Sequence, residues 1–562
     1  MADPGDSPQT PSYGAVDHDR EETGIARRRT GLHRGLGSRQ VSMIAIGGTI
    51  GTGLFLGTGK SLAEGGPASM LLAYALVGTI VYLTLLLLGE MATQYPVAGS
   101  FSAYTSRFFS PSYAFAISWN YWLNDAVSVA SDLTAAQLVL QFWTAEYTWV
   151  VSLVFWVFLV SMNAAHVKAY GELEYWLSFL KVASIIAFII SGVFLNIHAD
   201  IGFSNWSIPG APFVGGFGGF ARVFVTASFA YGGTESLGIT AGETKNPSKN
   251  MPRVVKFVFW RILLFYVLSI LVIGLNVPWN YPNLSNRTTT TSPFTIVFEQ
   301  AGLSFAASFM NTVILTSVLS AGNHALFAGT RVLYGLSVAN PPQAPALFSW
   351  TTTGGVPLPA LLLTSSVSVL CFGTSFIGSG ALWGWLQNIV GVSNQIAWLS
   401  IGLASWRFRK AWIRQGRSLS ELKFHTSWTW PYGPAFVIVA VSILIVVQGW
   451  SSILPKFSAV DFLSFYIEIP IVVMMYLGWR LLKRQPATDC LPSSSDPLLR
   501  LRGNHTDTDR ESRRYIWLWD LVDLQAVDLN SDQYDDEDED KPDERQHTRN
   551  SGLWRRVYHY LA

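Results

Sequence analysis

Two glycine-rich segments interrupt long apolar runs of the chain and could bind a small zwitterion. The first reads Gly-Gly-Thr-Ile-Gly-Thr-Gly-Leu-Phe over residues 47–55, and the second reads Phe-Ala-Tyr-Gly-Gly-Thr-Glu over residues 229–235. Unwinding at residues 51–53 would leave amide donors at the start of a half-helix, where the helix dipole favours a carboxylate. Carbonyl groups freed around Phe229 and Ala230 could accept hydrogen bonds from an ammonium group. Together the two segments have the chemistry to bind both ends of an α-amino acid.

Few ionisable side chains lie inside the apolar runs, and each is a functional candidate because a charge in mid-membrane costs about 2.5–3.5 kcal/mol. Lys181 and Glu235 could each carry a proton. Alternatively, the lysine could reach water from near the end of its run, and the glutamate could bond to an opened backbone. Asp125 and Asp132 are seven residues apart and share one helix face. Asp125 could be the counter-charge of a cationic ligand, or it could pair with a residue such as His324 or face water.

Two further charged residues are interpreted as parts of the scaffold. Glu90, near the end of the second run, is expected to be structural or to act in gating. Arg261, near the start of the seventh run, is expected to anchor its helix on the cytosolic side.

The elements that must position these residues are membrane helices. Hydrophobic residues make up 50% of the 562 residues and charged residues only 13%, about half the share usual in soluble domains. A helix needs about 20 apolar residues to cross a bilayer. Twelve runs of that kind are present, at 42–62, 68–93, 112–143, 147–165, 175–197, 219–241, 255–277, 304–328, 357–378, 381–405, 434–451 and 462–483. The sequence therefore predicts an all-α polytopic membrane protein with twelve transmembrane helices.

The two interruptions fall in runs 1 and 6, five spans apart. Broken helices at corresponding positions of two halves are typical of transporters built from inverted repeats, with the site between the halves. We therefore expect two inverted five-helix repeats, at about 41–200 and 215–405, plus two extra helices. The alternative is that the glycines only allow helices to pack closely.

Composition also excludes several classes of protein. The net charge of +1 gives no basic excess for nucleic acid, and two cysteines cannot form a disulfide framework. The nine histidines show no metal-ligand spacing, and the chain has no P-loop. We expect neither an enzyme nor a bound metal or cofactor.

Basic residues are distributed unevenly between the two sets of loops, which predicts the orientation. One set holds only Lys60, Arg287 and Lys456. The other holds Arg107, Lys168, Lys245, Lys249, Arg253, Lys256, Arg331, Arg407, Arg409, Lys410, Arg414, Arg417 and Lys423. The richer side is predicted to be cytosolic, together with both termini. Two glycosylation sequons, at Asn283 and Asn286, then fall outside.

Ordered motifs give the chain a family resemblance that covers roughly residues 38–484, and one motif lies just before that range. Besides the two glycine-rich segments, they are Leu32-His-Arg-Gly-Leu, Gly89-Glu-Met-Ala-Thr, Val167-Lys-Ala-Tyr-Gly-Glu, Ala241-Gly-Glu with Asn246-Pro, Ser320-Ala-Gly-Asn, Arg407-Phe-Arg and Pro431-Tyr-Gly. With them the sequence resembles the fungal amino acid permeases of the amino acid, polyamine and organocation superfamily. The resemblance implies proton-coupled uptake of amino acids across the plasma membrane.

The resemblance also implies roles for individual residues of the two segments. Thr52 and Gly53 would hold the substrate carboxylate, with Gly51 beside them, Thr49 at the break and Phe229 as an aromatic lid. Lys181 resembles the proton-coupling lysine of bacterial relatives, and Glu235 resembles a proton-sensing glutamate of related exchangers. Asp132 takes the place of a family glutamate.

The choice of substrate is less determined by these motifs. His324 and Tyr231 depart from the family pattern, whereas residues 139–143 and 238–243 look most like the basic amino acid branch. The prediction is uptake of L-amino acids with a preference for arginine and lysine. Two alternatives remain: a broad-specificity or neutral permease, and a sensor of the same fold that signals without transport. Such sensors generally carry a long N-terminal extension, and the 38-residue polar N-terminal stretch of this sequence is short by comparison.

The tails are expected to be separate from the core. Residues 1–40 are polar and predicted to form a disordered cytosolic tail that contains no lysine. Residues 485–562 form the second tail, whose acidic run at 532–540 is either solvated or a contact for trafficking adaptors. The expected partners are thus an amino acid, protons, the lipid bilayer and such adaptors.

Overall fold

A computed structural model describes ten stretches of the chain, namely residues 50–97, 99–144, 146–165, 167–238, 247–286, 291–339, 342–352, 355–454, 456–482 and 521–530. Thr49, residues 1–40 and the acidic run at 532–540 lie outside the described residues, so the predictions made for them stay predictions.

The described residues form helices joined by short loops. The α-helices are α1 Thr52–Phe55, α2 Gly57–Gln94, α3 Ser100–Phe108, α4 Pro111–Leu140, α5 Thr148–Ala165, α6 Val167–His198, α7 Gly216–Tyr231, α8 Pro247–Arg261, α9 Ser269–Asn276, α10 Pro293–Gln300, α11 Ser304–Val338, α12 Leu358–Val367, α13 Thr374–Ile377, α14 Ser379–Arg414, α15 Tyr432–Val447, α16 Trp450–Ile453, α17 Ala459–Tyr466 and α18 Glu468–Leu482. A π-helix, Ile262–Leu268, joins α8 to α9, and short 3₁₀ turns complete the connections.

Within the described residues, every predicted span coincides with one helix or with consecutive helices; residues 42–49 of span 1 and 239–241 of span 6 lie outside the described residues. By length and apolarity alone, five helical stretches of the described residues qualify as membrane spans: Gly57–Gln94, Glu174–His198, Met251–Asn276, Ser304–Val338 and Tyr432–Ile453. The pair α17 and α18, bent by 47°, would be a sixth. The long helices α4 and α14 fall short because they carry polar side chains, such as Asn124 and Asn394, which are buried inside the protein.

One turn separates the first two spans inside α2. Gly66 has φ 80° and ψ 173°, a conformation that side chains disfavour, and Pro67 starts the helix that follows. A Cβ atom on Gly66 would lie 2.6 Å from the carbonyl oxygen of Pro212. Glycine is therefore required here both by the backbone and by the space.

The helices of the two halves pack against each other in corresponding pairs. The α1–α2 segment contacts α7, which joins spans 1 and 6, and α4 contacts α11, which joins spans 3 and 8. The described part of the fold agrees with the prediction: two five-helix sets followed by two further helices, with a helix start at Thr52 in span 1 and a helix end at Tyr231 in span 6.

A buried ion pair ties α2 to α14. Arg409 donates to Glu90 with nitrogen–oxygen distances of 2.5–2.9 Å, and both side chains are 0% exposed. Thr429 accepts a further bond from Arg409. This geometry gives Glu90 the structural role, and it places Arg409 inside the protein rather than in a loop.

Candidate binding site

One cavity lies between the two interrupted helices. It is lined by the first break at Gly51, Thr52 and Gly53 and by the second break at Phe229, Ala230, Gly232 and Gly233, together with Asn124, Asp125, Ser128, Asp132, Ala321, His324, Ala325, Val390 and Asn394. The structure thus brings together all the predicted ligand-binding residues within the described part of the chain.

The first break leaves amide donors at the start of a helix. Gly51 is extended, with φ −148° and ψ −148°, and α1 begins at Thr52. Helix geometry gives the first amides, those of Thr52 and Gly53, no acceptor within the helix. On the other side of the break, the Ser317 hydroxyl donates to the Ile50 carbonyl at 3.3 Å.

The second break is held open by donors from neighbouring elements. Gly233 has φ 78°, and α7 ends just before it. The Tyr266 hydroxyl donates to the Ala230 carbonyl at 2.9 Å, and the Thr234 hydroxyl donates to the Tyr231 carbonyl at 2.5 Å. The carbonyl of Ala230, which the sequence predicts to face an ammonium, is thus already bonded once. A carbonyl oxygen has two lone pairs, so one acceptor position remains.

The two breaks are also in direct contact. A Cβ atom on Gly53 would lie 2.3 Å from the Ala230 Cα atom, and one on Gly51 would lie 2.8 Å from the Ala321 Cβ atom. These glycines therefore do allow close packing, the alternative role given for them in the sequence analysis. The same residues also line the cavity. Packing and backbone exposure coexist at these positions.

Two aspartates of α4 project into the cavity from one helix face. Asp132 accepts a hydrogen bond of 2.8 Å from the Thr52 hydroxyl, so it is engaged with the first break. Asp125 is 6% exposed, and its Oδ2 atom has no hydrogen-bond partner among the described residues. His324 lies 3.0 Å from the Ser236 hydroxyl at the second break. Asp125 is thus a carboxylate of this cavity with a buried oxygen that has no partner among the described residues.

The two predicted proton carriers lie outside the cavity lining. Lys181 is 1% exposed, and its Nζ atom is 3.9 Å from Glu174 Oε1, so the lysine does not reach water. Glu174 Oε1 also accepts a 2.6 Å bond from Ser320.

Glu235 is held by three donors around the second break. Its carboxylate accepts from Tyr121 at 3.1 Å, from Trp398 at 3.0 Å and from the Gly233 amide at 3.3 Å. These contacts agree with a structural role for Glu235. They also bind the carboxylate to the second break, so a change in its charge would alter the electrostatic field there.

Arg261 is not the surface anchor that the sequence suggests. It is 1% exposed, and its Nη2 atom donates to the Thr234 hydroxyl at 2.8 Å, directly beside the second break. The prediction for Arg261 was wrong because this arginine, six residues into its run, points into the protein and not towards the membrane surface. Its depth in the run was the signal that could have found it.

Other site residues have no motif that reveals them. Asn394 donates to the Ser228 carbonyl at 3.2 Å, and its own carbonyl accepts from Asn124 at 2.6 Å. An amide inside an apolar run was the available sign. Tyr266, whose hydroxyl binds the second break, cannot be recognised as a site residue from the sequence, because its run already holds many aromatic residues.

An aromatic pair separates this cavity from a second one. Phe229 packs edge-on against Trp383, with ring centroids 6.4 Å apart. Beyond them lies a cavity of about 400 Å³, lined by Lys60, Glu64, Arg222, Trp383 and Asp461 among others. The position of Phe229 between the cavities is compatible with the predicted lid.

A polar cavity between two broken helices of a multi-pass membrane protein defines the class: this is a membrane transporter. The family model described as amino acid permease matches residues 40–492. The chain belongs to the amino acid permease family.

Three relatives illustrate the range of that family. A probable amino-acid permease of Schizosaccharomyces pombe is 43% identical, over 81% of this chain and 93% of the relative. The lysine-specific permease of Escherichia coli is 42% identical over 81% and 94%, and a general amino-acid permease of Candida albicans is 40% identical over 82% and 80%. Amino acid transport is therefore the common activity of these relatives.

Proposed function

We propose that this permease imports amino acids together with protons across the plasma membrane, and that cationic amino acids are its main substrates. The observation that carries the proposal is Asp125, a carboxylate nine-tenths buried in the cavity with an oxygen atom that bonds to nothing in the described chain. A buried carboxylate of that kind is stabilised by a cation placed opposite to it. The similarity to a lysine-specific permease supports the same substrate class.

The backbone at the breaks would hold the part common to all amino acids. The α-carboxylate would accept from the amides of Thr52 and Gly53, where the helix dipole also favours a negative charge. Gly51 gives the carboxylate access to these amides. The α-ammonium would donate to the remaining acceptor position of the Ala230 carbonyl, and Phe229 would cover the ligand. The side chain then extends towards Asp125.

Protons would act through groups attached to the breaks. Lys181 lies close enough to Asp132 to interact with it electrostatically, and Asp132 accepts from Thr52 in the first break. A proton gained or lost at Lys181 therefore changes the field at the substrate carboxylate site. Glu235 is the alternative carrier, since it accepts from Gly233 in the second break.

Substitution of Asp125 tests the proposal most directly. We expect Asp125→Asn to weaken the apparent affinity for arginine and lysine at least tenfold, because a desolvated charge pair is lost. The affinity for a neutral amino acid such as leucine should change less than threefold. Labelled uptake into proteoliposomes, with and without an inwardly directed pH gradient, measures both selectivity and proton coupling.

Asp125→Glu is the matched control, since it keeps the carboxylate and should retain the preference for cations. An equal loss for all substrates in Asp125→Asn would contradict the role of Asp125 and leave a broad-specificity permease. Uptake by the wild-type protein that ignores the pH gradient would exclude proton coupling. Absence of uptake for every amino acid would instead favour a sensor.

A further inference from the structure

A short segment of the C-terminal tail is seated on the membrane domain. Residues 521–530 read Leu-Val-Asp-Leu-Gln-Ala-Val-Asp-Leu-Asn. Leu524, Val527 and Leu529 are 3%, 9% and 1% exposed, and all three belong to the main hydrophobic cluster of the protein. The side chains between them, such as Gln525 and Ala526, are exposed. The segment thus inserts one apolar face and presents the other to solvent.

Side chains of the membrane domain bind the backbone of this segment through hydrogen bonds. Gln415 donates to the carbonyls of Leu524 and Val527 at 3.1 and 2.8 Å, and Tyr95 donates to the carbonyl of Leu529 at 2.8 Å. Arg407 donates to the carbonyl of Val522, and Arg107 to that of Asp528. In return, the Val522 amide donates to the Phe109 carbonyl at 3.0 Å. Five carbonyls of this ten-residue segment accept hydrogen bonds from side chains, and one of its amides donates to a backbone carbonyl. Hydrogen bonds to the backbone are how a protein surface recognises an extended peptide.

The docking surface comes from elements that belong to different parts of the fold. Tyr95 follows the end of α2, Arg107 lies in α3 and Phe109 follows it, whereas Arg407 and Gln415 lie at and just beyond the end of α14. These are the ends of spans 2 and 10, on the side that the basic residues predict to be cytosolic. One short segment therefore connects the first half of the protein to the last helix of the second half.

We propose that this surface is a binding site for residues 521–530, and that the seated segment, together with the Glu90–Arg409 ion pair, restrains the movement of α2 and α3 relative to α14 during transport. Alternating access requires one group of helices to move relative to the rest. A ligand that binds one conformation stabilises that conformation by its differential affinity, even when the ligand belongs to the same chain. The seated tail segment therefore acts as an internal regulator of the transport rate. This inference rests on the proposed transport function.

The first part of the test asks whether the segment is seated in the full-length protein. Endoproteinase Asp-N cleaves the peptide bonds before Asp523 and Asp528. The side chains of both aspartates are exposed, but the backbone around them is bound to the membrane domain. We expect the wild-type protein in detergent to be cleaved at these two bonds at least tenfold more slowly than a Leu524→Asn, Leu529→Asn double variant. Burying an amide in place of each leucine disfavours docking. Mass spectrometry identifies the two bonds.

The matched control is a Gln525→Asn, Ala526→Asn double variant, which places the same side chains at exposed positions and adds no cleavage site. It should be protected like the wild type. Equal cleavage of the wild type and the leucine variant would overturn the docking.

The second part of the test measures transport. We expect the leucine variant to show a maximal uptake rate, per molecule in the membrane, at least threefold above wild type, and the control variant to match wild type. Loss of protection with an unchanged or lower rate would overturn the restraining role. If no protein, wild type included, transports any amino acid, the proposed function and the restraint both fall, while the cleavage result still decides whether the segment docks.

Discussion

Most polar side chains at the breaks bind backbone or one another, which leaves few of them for a ligand. Thr52 is bonded to Asp132, Thr234 to Arg261, and Ser236 to His324. Burying such groups is costly unless they are paired, so these bonds fix the shape of the opened backbone. Asp125, whose Oδ2 atom has no partner among the described residues, is the residue at this scale for which we propose a role in distinguishing substrates.

Lys181 is the residue at which proton coupling is best tested. We expect Lys181→Met to uncouple transport: exchange of labelled for unlabelled substrate should persist, while acceleration by an inward pH gradient should fall at least fivefold. The physical reason is that Met keeps the volume of the buried site but cannot bind a proton. Exchange and gradient-driven uptake in proteoliposomes separate the two effects.

The control is Lys256→Met, which removes a cation from an exposed position of α8. It should leave both activities unchanged. Gradient-driven uptake that survives in Lys181→Met would transfer the proton role to Glu235, and Glu235→Gln would then be expected to abolish the acceleration.

At the residue scale, the sequence predicts what depends on local pattern and misses what depends on distant partners. The glycine breaks and the shared face of Asp125 and Asp132 follow from spacing along one helix. Arg261 is 27 residues from Thr234, and Asn394 is 166 residues from Ser228. No helical period relates such pairs, so only the packing of different spans shows that they meet.

At the scale of elements, span 7 is the support of the second break. Its π-helix, Ile262–Leu268, follows Arg261 and contains Tyr266. The Tyr266 ring stacks on Tyr231, with centroids 4.4 Å apart and planes at 23°, while its hydroxyl binds the Ala230 carbonyl. A π-helix shifts the side chains that follow it around the helix axis, and such segments occur frequently at functional sites. One span thus contacts both sides of the break in another.

Tyr266→Phe tests this support, since it keeps the stacked ring and removes only the hydroxyl. We expect the apparent affinity to fall five- to tenfold for cationic and neutral amino acids alike. That corresponds to about 1–1.4 kcal/mol, the usual value of one hydrogen bond. Uptake kinetics for arginine and leucine provide the measurement, and the uniform loss contrasts with the selective loss expected for Asp125→Asn.

Tyr82→Phe serves for comparison, because Tyr82 is a partly exposed tyrosine of α2 that packs on Phe259. It should behave as wild type. A Tyr266→Phe protein with unaltered affinity would show that the break keeps its shape without this bond.

The existence of the helices is predictable from the sequence, whereas their ends and irregularities are less so. Apolar run length finds the twelve spans, yet α11 continues to Val338, ten residues past its predicted end, because its last turns pack against protein rather than lipid. Span 9 is divided into α12, a 3₁₀ segment and α13, and nothing in its hydropathy indicates this. The seated tail segment at 521–530 was also missed, since ten residues in a polar tail resemble a linker.

For the whole molecule, the distribution of basic residues predicts which end of the helices faces the cytosol. Ser420, in the connection between spans 10 and 11, is exposed on the predicted inner side, and Asn286, between spans 7 and 8, is exposed on the predicted outer side. The same orientation assigns the seated tail segment to the cytosol and the cavity with Lys60 and Arg222 to the outside.

Cysteine labelling can decide the orientation. In a Cys490→Ser background, where Cys371 is fully buried, we expect Asn286→Cys to react with a membrane-impermeant maleimide in intact cells. Ser420→Cys should react only after permeabilisation, because charge keeps the reagent outside. The reverse pattern would invert the topology. The unsubstituted background should remain unlabelled in both conditions.

The contact between Gly53 and Ala230 limits how the carrier can operate. Because backbone atoms of the two interrupted helices already touch here, we expect these two segments to move together rather than to slide past each other. Access to the cavity would then alternate by movement of the surrounding helices relative to this pair. An inhibitor bound between the pair and its neighbours would arrest the cycle without ever occupying the place of the amino acid.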